Sequence, residues 1–283
     1  MNSNQYAIYS LVGLLLAAPL AAEEVLVRGG GGRVVVTAGN GYDVAGAALR
    51  RIDAQHVEVV ATAAEARVTV PASSSLRFEA EKGEIVVIGI AGNIEAKTAR
   101  ANVVVRGAGG NLIVSTGNGN VTADGVRGLV EVITGNGNVT VTNPAGGVRV
   151  VSINGKTDIV CPGGAVSVRD TSGKVRVTNA RGDVDVFTAL GQATYEGALQ
   201  PARAYNLRTL DGAVTLSWVP SGAGFSALLA SDAMQIDADP QVAEGRKRVE
   251  TRWGDERARV VLDAVGGRVE LQRIAAAPAC GSR

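Results

Sequence analysis

The chain has 283 residues, 46% of them hydrophobic but only 4% aromatic, with 37 glycines and a formal net charge of +1. Its 28 basic and 27 acidic residues are interspersed, which leaves neither a basic stripe for nucleic acid nor an acidic surface for loading cations. Few aromatics and many valines suit a narrow interior lined by uniform β-branched side chains.

The first segment reads as an export signal. Leu11 to Leu20 is an apolar core, and Ala21-Ala22-Glu23 offers a cleavage point after Ala22. The leading MNSNQYAIYS carries no Lys or Arg, so an uncleaved anchor is the rival reading. The apolar run from Ala7 to Ala22 is shorter than the ~20 residues a span needs, and Pro19 interrupts it. The expectation is a cleaved signal over 1–22, no transmembrane span afterwards, no lipobox cysteine for lipid attachment, and delivery to the periplasm or the cell surface.

Residues 23–82 are rich in strand signals but out of phase with the repeat that begins at Gly83. Arg33 to Thr37, Val57 to Val60 and Arg67 to Val70 alternate as half-buried strands do, and Ala45 to Arg51 is compatible with a short helix. This part reads as an N-terminal cap over an otherwise open sheet edge.

From Gly83 to Gly191 a nine-residue unit repeats without insertion or deletion. Glycine occupies its first position throughout, with Ala101 as the exception. Two apolar residues stand at the third and fifth positions, as in Val121 and Ala123, Val139 and Val141, Val166 and Val168. Two apolar residues spaced by two share one side of a strand, so each unit is a short strand with a bend after it. One strand cannot bury that side alone, whereas repeats placed against one another can. A slower alternation sets the larger period. Thr98, Thr116, Thr134, Ser152, Asp170 and Thr188 recur at eighteen, as do Asn118, Asn136 and Asn154. The predicted fold is therefore an all-β, parallel, two-sided β-solenoid of eighteen residues per coil, regular over 83–199, with stacked asparagines sharing amide hydrogen bonds.

Beyond Gly197 the period breaks. The strand motif returns at Leu210 to Leu216, at Met234 and Ile236, and at Val269 and Leu271. Residues 200–273 read as irregular terminal coils with a charged loop over 237–253, and 274–283 as a tail. The two cysteines, Cys161 and Cys280, are compatible with a disulfide in an exported chain. Distance weighs against it, because the tail after Leu271 would have to run back fully extended to mid-repeat. The pairing stays open at this point.

Thr116-Gly117-Asn118-Gly119-Asn120-Val121-Thr122 and Thr134-Gly135-Asn136-Gly137-Asn138-Val139-Thr140 form repeated bends. Val70-Pro71 ends an early strand, and a closing Thr209-Leu210-Asp211-Gly212 comes after the repeats. Together these resemble the bacterial "putative adhesin" family of β-strand-repeat envelope proteins, over about residues 25–273. The resemblance implies the fold and an envelope role, and it brings no catalytic residues with it.

Few positions offer chemistry. Calcium-type nonapeptide rolls place Asp two residues after the turn glycine, where this chain has Val121, Val139 and Val166. A carbohydrate-active site would rest on Asp183 and Asp185, outward on one strand and roughly 7 Å apart. His56 is the sole histidine and lies in the cap, where it reads as a surface or half-buried residue, and zinc ligands are too few. No catalytic, metal or cofactor residue is assigned.

Two surfaces remain. Asn120, Thr122, Asn138 and Thr140 form a regular polar face suited to a glycan or ordered water. Ile113, Leu129, Ile133 and Val151, with Phe187, stand where polar residues belong, so either another part of the chain covers them or they meet a partner. The reading is a non-catalytic exported envelope protein, an adhesin-like scaffold or binding surface whose partner is another envelope protein or a surface glycan. The alternatives are a surface glycan-processing enzyme and a sensor component of an envelope-stress pathway.

Overall fold

The computed structural model describes residues 23–220, 224–236, 247–255, 257–277 and 279–280. The leader expected over 1–22 lies outside them. The architecture is all-β, with no helix among the described residues.

Two ladders of parallel strands carry the repeat. In the first, Leu76, Ile94, Leu112, Val130, Val148, Val166 and Val184 stand side by side in that order. In the second, nine residues on, the order is Ile85, Val103, Val121, Val139, Thr157, Val175 and Ala193. Each residue thus pairs with the one eighteen positions on, as Val148 does with Val166. Longer strands such as Val148–Val160 and Val166–Thr178 run through the bend and belong to both ladders. Every pairing across 83–191 is parallel. We call each eighteen-residue unit a tier.

The inward residues of both ladders are buried and mostly aliphatic, Val103, Val114, Val132, Val150 and Val168 each with 0% exposure, with Thr157, Phe78 and Tyr195 as exceptions. Burying a valine contributes roughly 1.5–3 kcal/mol, so the unbroken columns are the main source of cohesion. Glycine is required where tiers approach most closely. A Cβ on Gly119 would lie 2.1 Å from the carbonyl oxygen of Ala101, and one on Gly137 equally close to that of Gly119. A second bend needs the left-handed region. Gly107 and Gly125 adopt φ of 69° and 66°, and Asn143, Cys161 and Asn179 continue the same column at 51°, 56° and 51°.

One inward column is polar. Thr116, Thr134, Ser152, Asp170, Thr188 and Thr209 face in at the bend, and each is at most 4% exposed. Thr98 Oγ1 donates to Thr116 Oγ1 at 2.9 Å, whereas Thr134 Oγ1 is buried with no hydrogen-bond partner among the described residues. Asp170 puts a carboxyl where the other tiers have hydroxyls. Thr188 Oγ1 donates to its Oδ1 at 3.3 Å, while Oδ2 is buried without a hydrogen-bond partner among the described residues. Burial pushes the Asp170 carboxyl above the ordinary aspartate range, against the lowering effect of the Ser152 and Thr188 hydroxyls.

The ends depart from the sequence reading. The first strands, Glu24–Gly29 and Arg33–Gly39, pair with Ser75–Ile88 on one side and with His56–Ala61 and Glu65–Pro71 on the other. The outermost tier is therefore 56–71, and the chain's first tier lies beneath it. Each keeps the nine-residue spacing internally, Val25 with Val34 and Val57 with Ala66, so the phase is lost only in the connections. The short helix considered over Ala45 to Arg51 is instead two strands, Asp43–Ala45 and Ala47–Arg51, antiparallel to the outermost tier. Pairing with Val57 to Ala61 satisfies this backbone at the otherwise open edge and overrides the local helical preference. Glu23 fastens the start of the described chain, since its carboxylate accepts from the Tyr42 hydroxyl and pairs with Arg51 at 2.9 Å.

The C-terminal end repeats the inversion. Ala258–Arg273 pairs with Ala204–Val219, and the earlier Phe225–Ser231 and Ala233–Ile236 lie outside it. Lys247–Trp253, expected within a charged loop, is a strand antiparallel to Phe225–Ser231. The remainder of that loop, 237–246, falls outside the described residues.

Cys161 and Cys280 are joined by a disulfide, with 5.8 Å between their Cα atoms. The tail reaches Cys161 because the last strand belongs to an inner tier. Cys161 shares a column with Asn179, Gly197, Trp218 and Arg273, four inter-tier steps in all. At ~4.8 Å per step this is about 19 Å, and the seven residues from Arg273 to Cys280 reach about 24 Å when extended.

Stability should respond to two changes. Asp170→Thr is expected to raise it by about 1–2 kcal/mol near pH 7, by removing a buried carboxyl with one oxygen unpartnered. A carboxyl whose folded pKa is raised costs nothing below the ordinary aspartate range, and its cost grows as pH rises through the raised value, so the gain should fade near pH 3. Urea melts of both proteins at the two pH values check this. Reducing Cys161–Cys280, which closes a loop 119 residues apart in sequence, should cost up to about 4 kcal/mol, and Cys161→Ala should reproduce the loss in calorimetry without reductant.

Candidate functional site

The polar residues singled out in the sequence lie together at the second ladder. Thr122 and Thr140 are direct neighbours on adjacent tiers. Asn120 and Asn138 precede them and are engaged along the ladder. Asn120 Oδ1 accepts the backbone N–H of Asn138 at 2.8 Å, and Asn138 Oδ1 accepts that of Lys156 at 3.0 Å. Their carbonyl oxygens therefore brace the bend, leaving the amide hydrogens outward. Asn118, Asn136 and Asn154 form the amide ladder expected of them, Asn136 Nδ2 donating to Asn118 Oδ1 at 2.9 Å and Asn154 Nδ2 to Asn136 Oδ1 at 2.8 Å.

The apolar residues gather on three consecutive tiers of the first ladder. Ile133 lies between Ser115 and Val151, while Glu131 on the same strand stands beside Ile113. Leu129 closes the group one residue before that strand begins, its N–H donating to Asn111 Oδ1 at 2.9 Å. Ile113, Leu129 and Ile133 are 43%, 41% and 47% exposed, and Val151 is half-buried. No described segment packs over them. The N-terminal residues that were candidates for such a cover form tiers of their own.

Further exposed apolar side chains at the bend were not anticipated from the sequence. Ile153, Leu190, Leu210 and Val265 are each at least 41% exposed on the outer side of the bend. Gly135 precedes Ile153 in the same column, because Thr134 pairs with Ser152 and Asn136 with Asn154. The Asn-Gly repeats made this bend look uniformly polar. The signal available was outward alternation on either side of the inward Ser152 and Thr209.

Charged residues along the first ladder pair across tiers. Arg28 meets Glu58 at 2.7 Å and Glu79 at 3.4 Å, and Arg149 meets Glu131 at 3.8 Å. The Asp183 and Asp185 pair belongs to this framework. Asp183 Oδ1 accepts the backbone N–H of Ala204 at 2.9 Å, and Asp185 is held between Arg169 at 2.5 Å and Arg208 at 3.5 Å. Each carboxylate thus has a structural partner fixing its place. His56 is exposed at the outermost tier, its Nδ1 2.8 Å from Asp53, whose carboxyl is held below its usual range by the Gln55 N–H and then by His56.

Among the described residues, no group of three His, Cys, Asp or Glu is placed to hold a metal ion, and no helix is long and apolar enough to cross a membrane.

No protein-family model and no curated protein matches the chain. Two solved structures are similar to it. A "putative adhesin" from Bacteroides fragilis NCTC 9343 is 11% identical, with 90% of this chain and 94% of that one covered at a TM-score of 0.37. A "putative cell adhesion protein" from Clostridium sporogenes ATCC 15579 is 10% identical over 90% and 94% of the two chains, at a TM-score of 0.19.

Proposed function

We propose that this is a non-catalytic, exported cell-envelope protein that acts as an adhesin-like scaffold, its tiers winding as a two-sided β-solenoid. The eighteen-residue parallel register and the two buried ladders support the winding. In this reading 1–22 is the export signal, 23–82 and 200–273 are the terminal caps, 83–199 is the regular solenoid and 274–283 is the tail. The Cys161–Cys280 bridge supports export, since such bonds persist in oxidising compartments such as the periplasm and the cell surface.

The observation that carries the binding role is the uncovered group Ile113, Leu129, Ile133 and Val151 on three adjacent tiers. Exposed apolar side chains clustered on a rigid surface and bordered by charges mark a contact site. Glu131 and Arg149 supply that border. The partner is another envelope protein or a surface glycan. Thr122 and Thr140, with the outward amides of Asn120 and Asn138, offer a secondary polar contact.

The test is surface plasmon resonance on the purified, disulfide-bonded chain, with peptidoglycan sacculi and the detergent-solubilised envelope protein fraction of the producing bacterium as analytes. Wild type should bind one of them, and the Ile113→Lys, Ile133→Lys double variant should bind at least about tenfold more weakly with unchanged thermal stability. Equal binding by both proteins, or glycan turnover that disappears in Asp185→Asn, would overturn the reading.

A further inference from the structure

We infer that the uncovered apolar group is a self-association surface, and that its occupant is a second copy of this chain docked face to face. The inference rests on the reading of Ile113, Leu129, Ile133 and Val151 as a contact site, and it names the partner.

The two tiers at the centre of the group match one another under reversal. Glu131 and Ile133 point outward from Val130–Asn136, and Arg149 and Val151 from Val148–Val160. Glu131 stands beside Arg149, and Ile133 beside Val151. One column thus carries opposite charges, and the other carries two apolar side chains. A two-fold axis along the strands, midway between these tiers, reverses the tier order and lays each column on its own copy. It sets Glu131 against Arg149 of the other copy, twice over, and Ile133 against Val151. A two-fold along the stack would instead set Glu131 on itself or on an apolar neighbour. The surface is therefore its own complement in one orientation, which is what an isologous contact requires.

Within one copy the central ion pair is loose. Arg149 Nε lies 3.8 Å from Glu131 Oε1, with the two side chains 63% and 29% exposed. Guanidinium and carboxylate each have capacity for a second charged partner. The flanking tiers close their charges more tightly, Lys97 on Glu95 at 2.7 Å and Arg169 on Asp185 at 2.5 Å. Under the same axis Glu95 and Asp185 come opposite one another, and those two bases neutralise them. Nearer the centre, Ile113 comes opposite Ser167. Sheets pack face to face at about 10 Å with strands within about 30°, and twist lifts the tiers far from the axis apart. Four tiers at ~4.8 Å by five residues at ~3.3 Å outline a contact of about 19 Å by 17 Å, which is small and belongs to the weak, reversible class. A glycan fits the group less well. None of the four apolar side chains is aromatic, and aliphatic groups offer its hydroxyls no hydrogen bond.

The experiment is sedimentation velocity on the full, disulfide-bonded chain over a range of concentrations. Wild type should pass reversibly from monomer to dimer with a Kd of about 10–100 µM. Glu131→Arg and Arg149→Glu should each weaken the dimer at least about tenfold, because each sets like charges against one another. Mixed in equal amounts, the two variants should pair with nearly wild-type affinity, since one then offers two bases where the other offers two acids. Exposed ion pairs add little to folding, so both should melt close to wild type. Glu131→Lys or Arg149→Asp takes the place of a reversal that lowers the melting temperature. Ile133→Lys should also weaken the dimer at least about tenfold. A chain that stays monomeric across this range, a dimer indifferent to Ile133→Lys, or reversals that do not rescue one another on mixing would each overturn the inference. If the chain is monomeric while plasmon resonance still finds a partner that the Ile113→Lys, Ile133→Lys variant loses, the second copy is excluded and the contact-site reading stands. If neither experiment finds a partner, both fall.

Discussion

Backbone hydrogen bonding between successive tiers fixes their rise at about 4.8 Å, and most of the molecule depends on that spacing. At the tightest bends it leaves no room for a side chain, which is why a Cβ on Gly119 or Gly137 would meet a carbonyl oxygen of the tier before. It also places like residues next to like. Valine columns fill the interior, asparagine columns brace the bends, and outward charges of opposite sign come within ion-pair distance. A residue is therefore selected as much by its neighbours eighteen positions away as by its own strand. Asp170 shows the cost of a departure, a carboxyl set into a column of hydroxyls with one oxygen left unpartnered among the described residues.

Much of the repeat was legible in the sequence because its information is local and periodic. Glycine at a constant pitch, with β-branched residues two and four places on, specifies strand, inward side and bend together. The asparagine ladder was legible for the same reason, since recurrence at eighteen puts each amide beside the next. How the chain travels between tiers was not legible. The inversion at each end depends on which tier a returning segment pairs with, and stretches such as 40–55 carry no period that would announce it. Without that pairing the span from Arg273 to Cys161 is overestimated, and the bridge looks out of reach. Ala45 to Arg51 has the same cause, since the antiparallel neighbour that makes it a strand is set by tertiary placement.

The candidate surfaces divide along the same line. Ile113, Leu129, Ile133 and Val151 were visible because they break the outward pattern of a regular ladder. Ile153, Leu210 and Val265 sit in a bend where the pattern was taken from its asparagine-glycine versions.

The inverted ends change what a terminus means in this molecule. In a simple coil the first and last residues are the top and bottom floors, and losing them shortens the building. Here residues 24–39 and 258–273 are inner floors, held on both faces, while the outermost ones come from segments the chain visits before its end or after its start. Losing 258–273 would therefore pull out a storey from within rather than trim the roof, and this segment enters between 204–219 and 225–231, both of which precede it in the chain. Fraying at the outermost tiers, the usual weak point of repeat proteins, falls here to 56–71 and 225–236 rather than to 24–39 and 258–273.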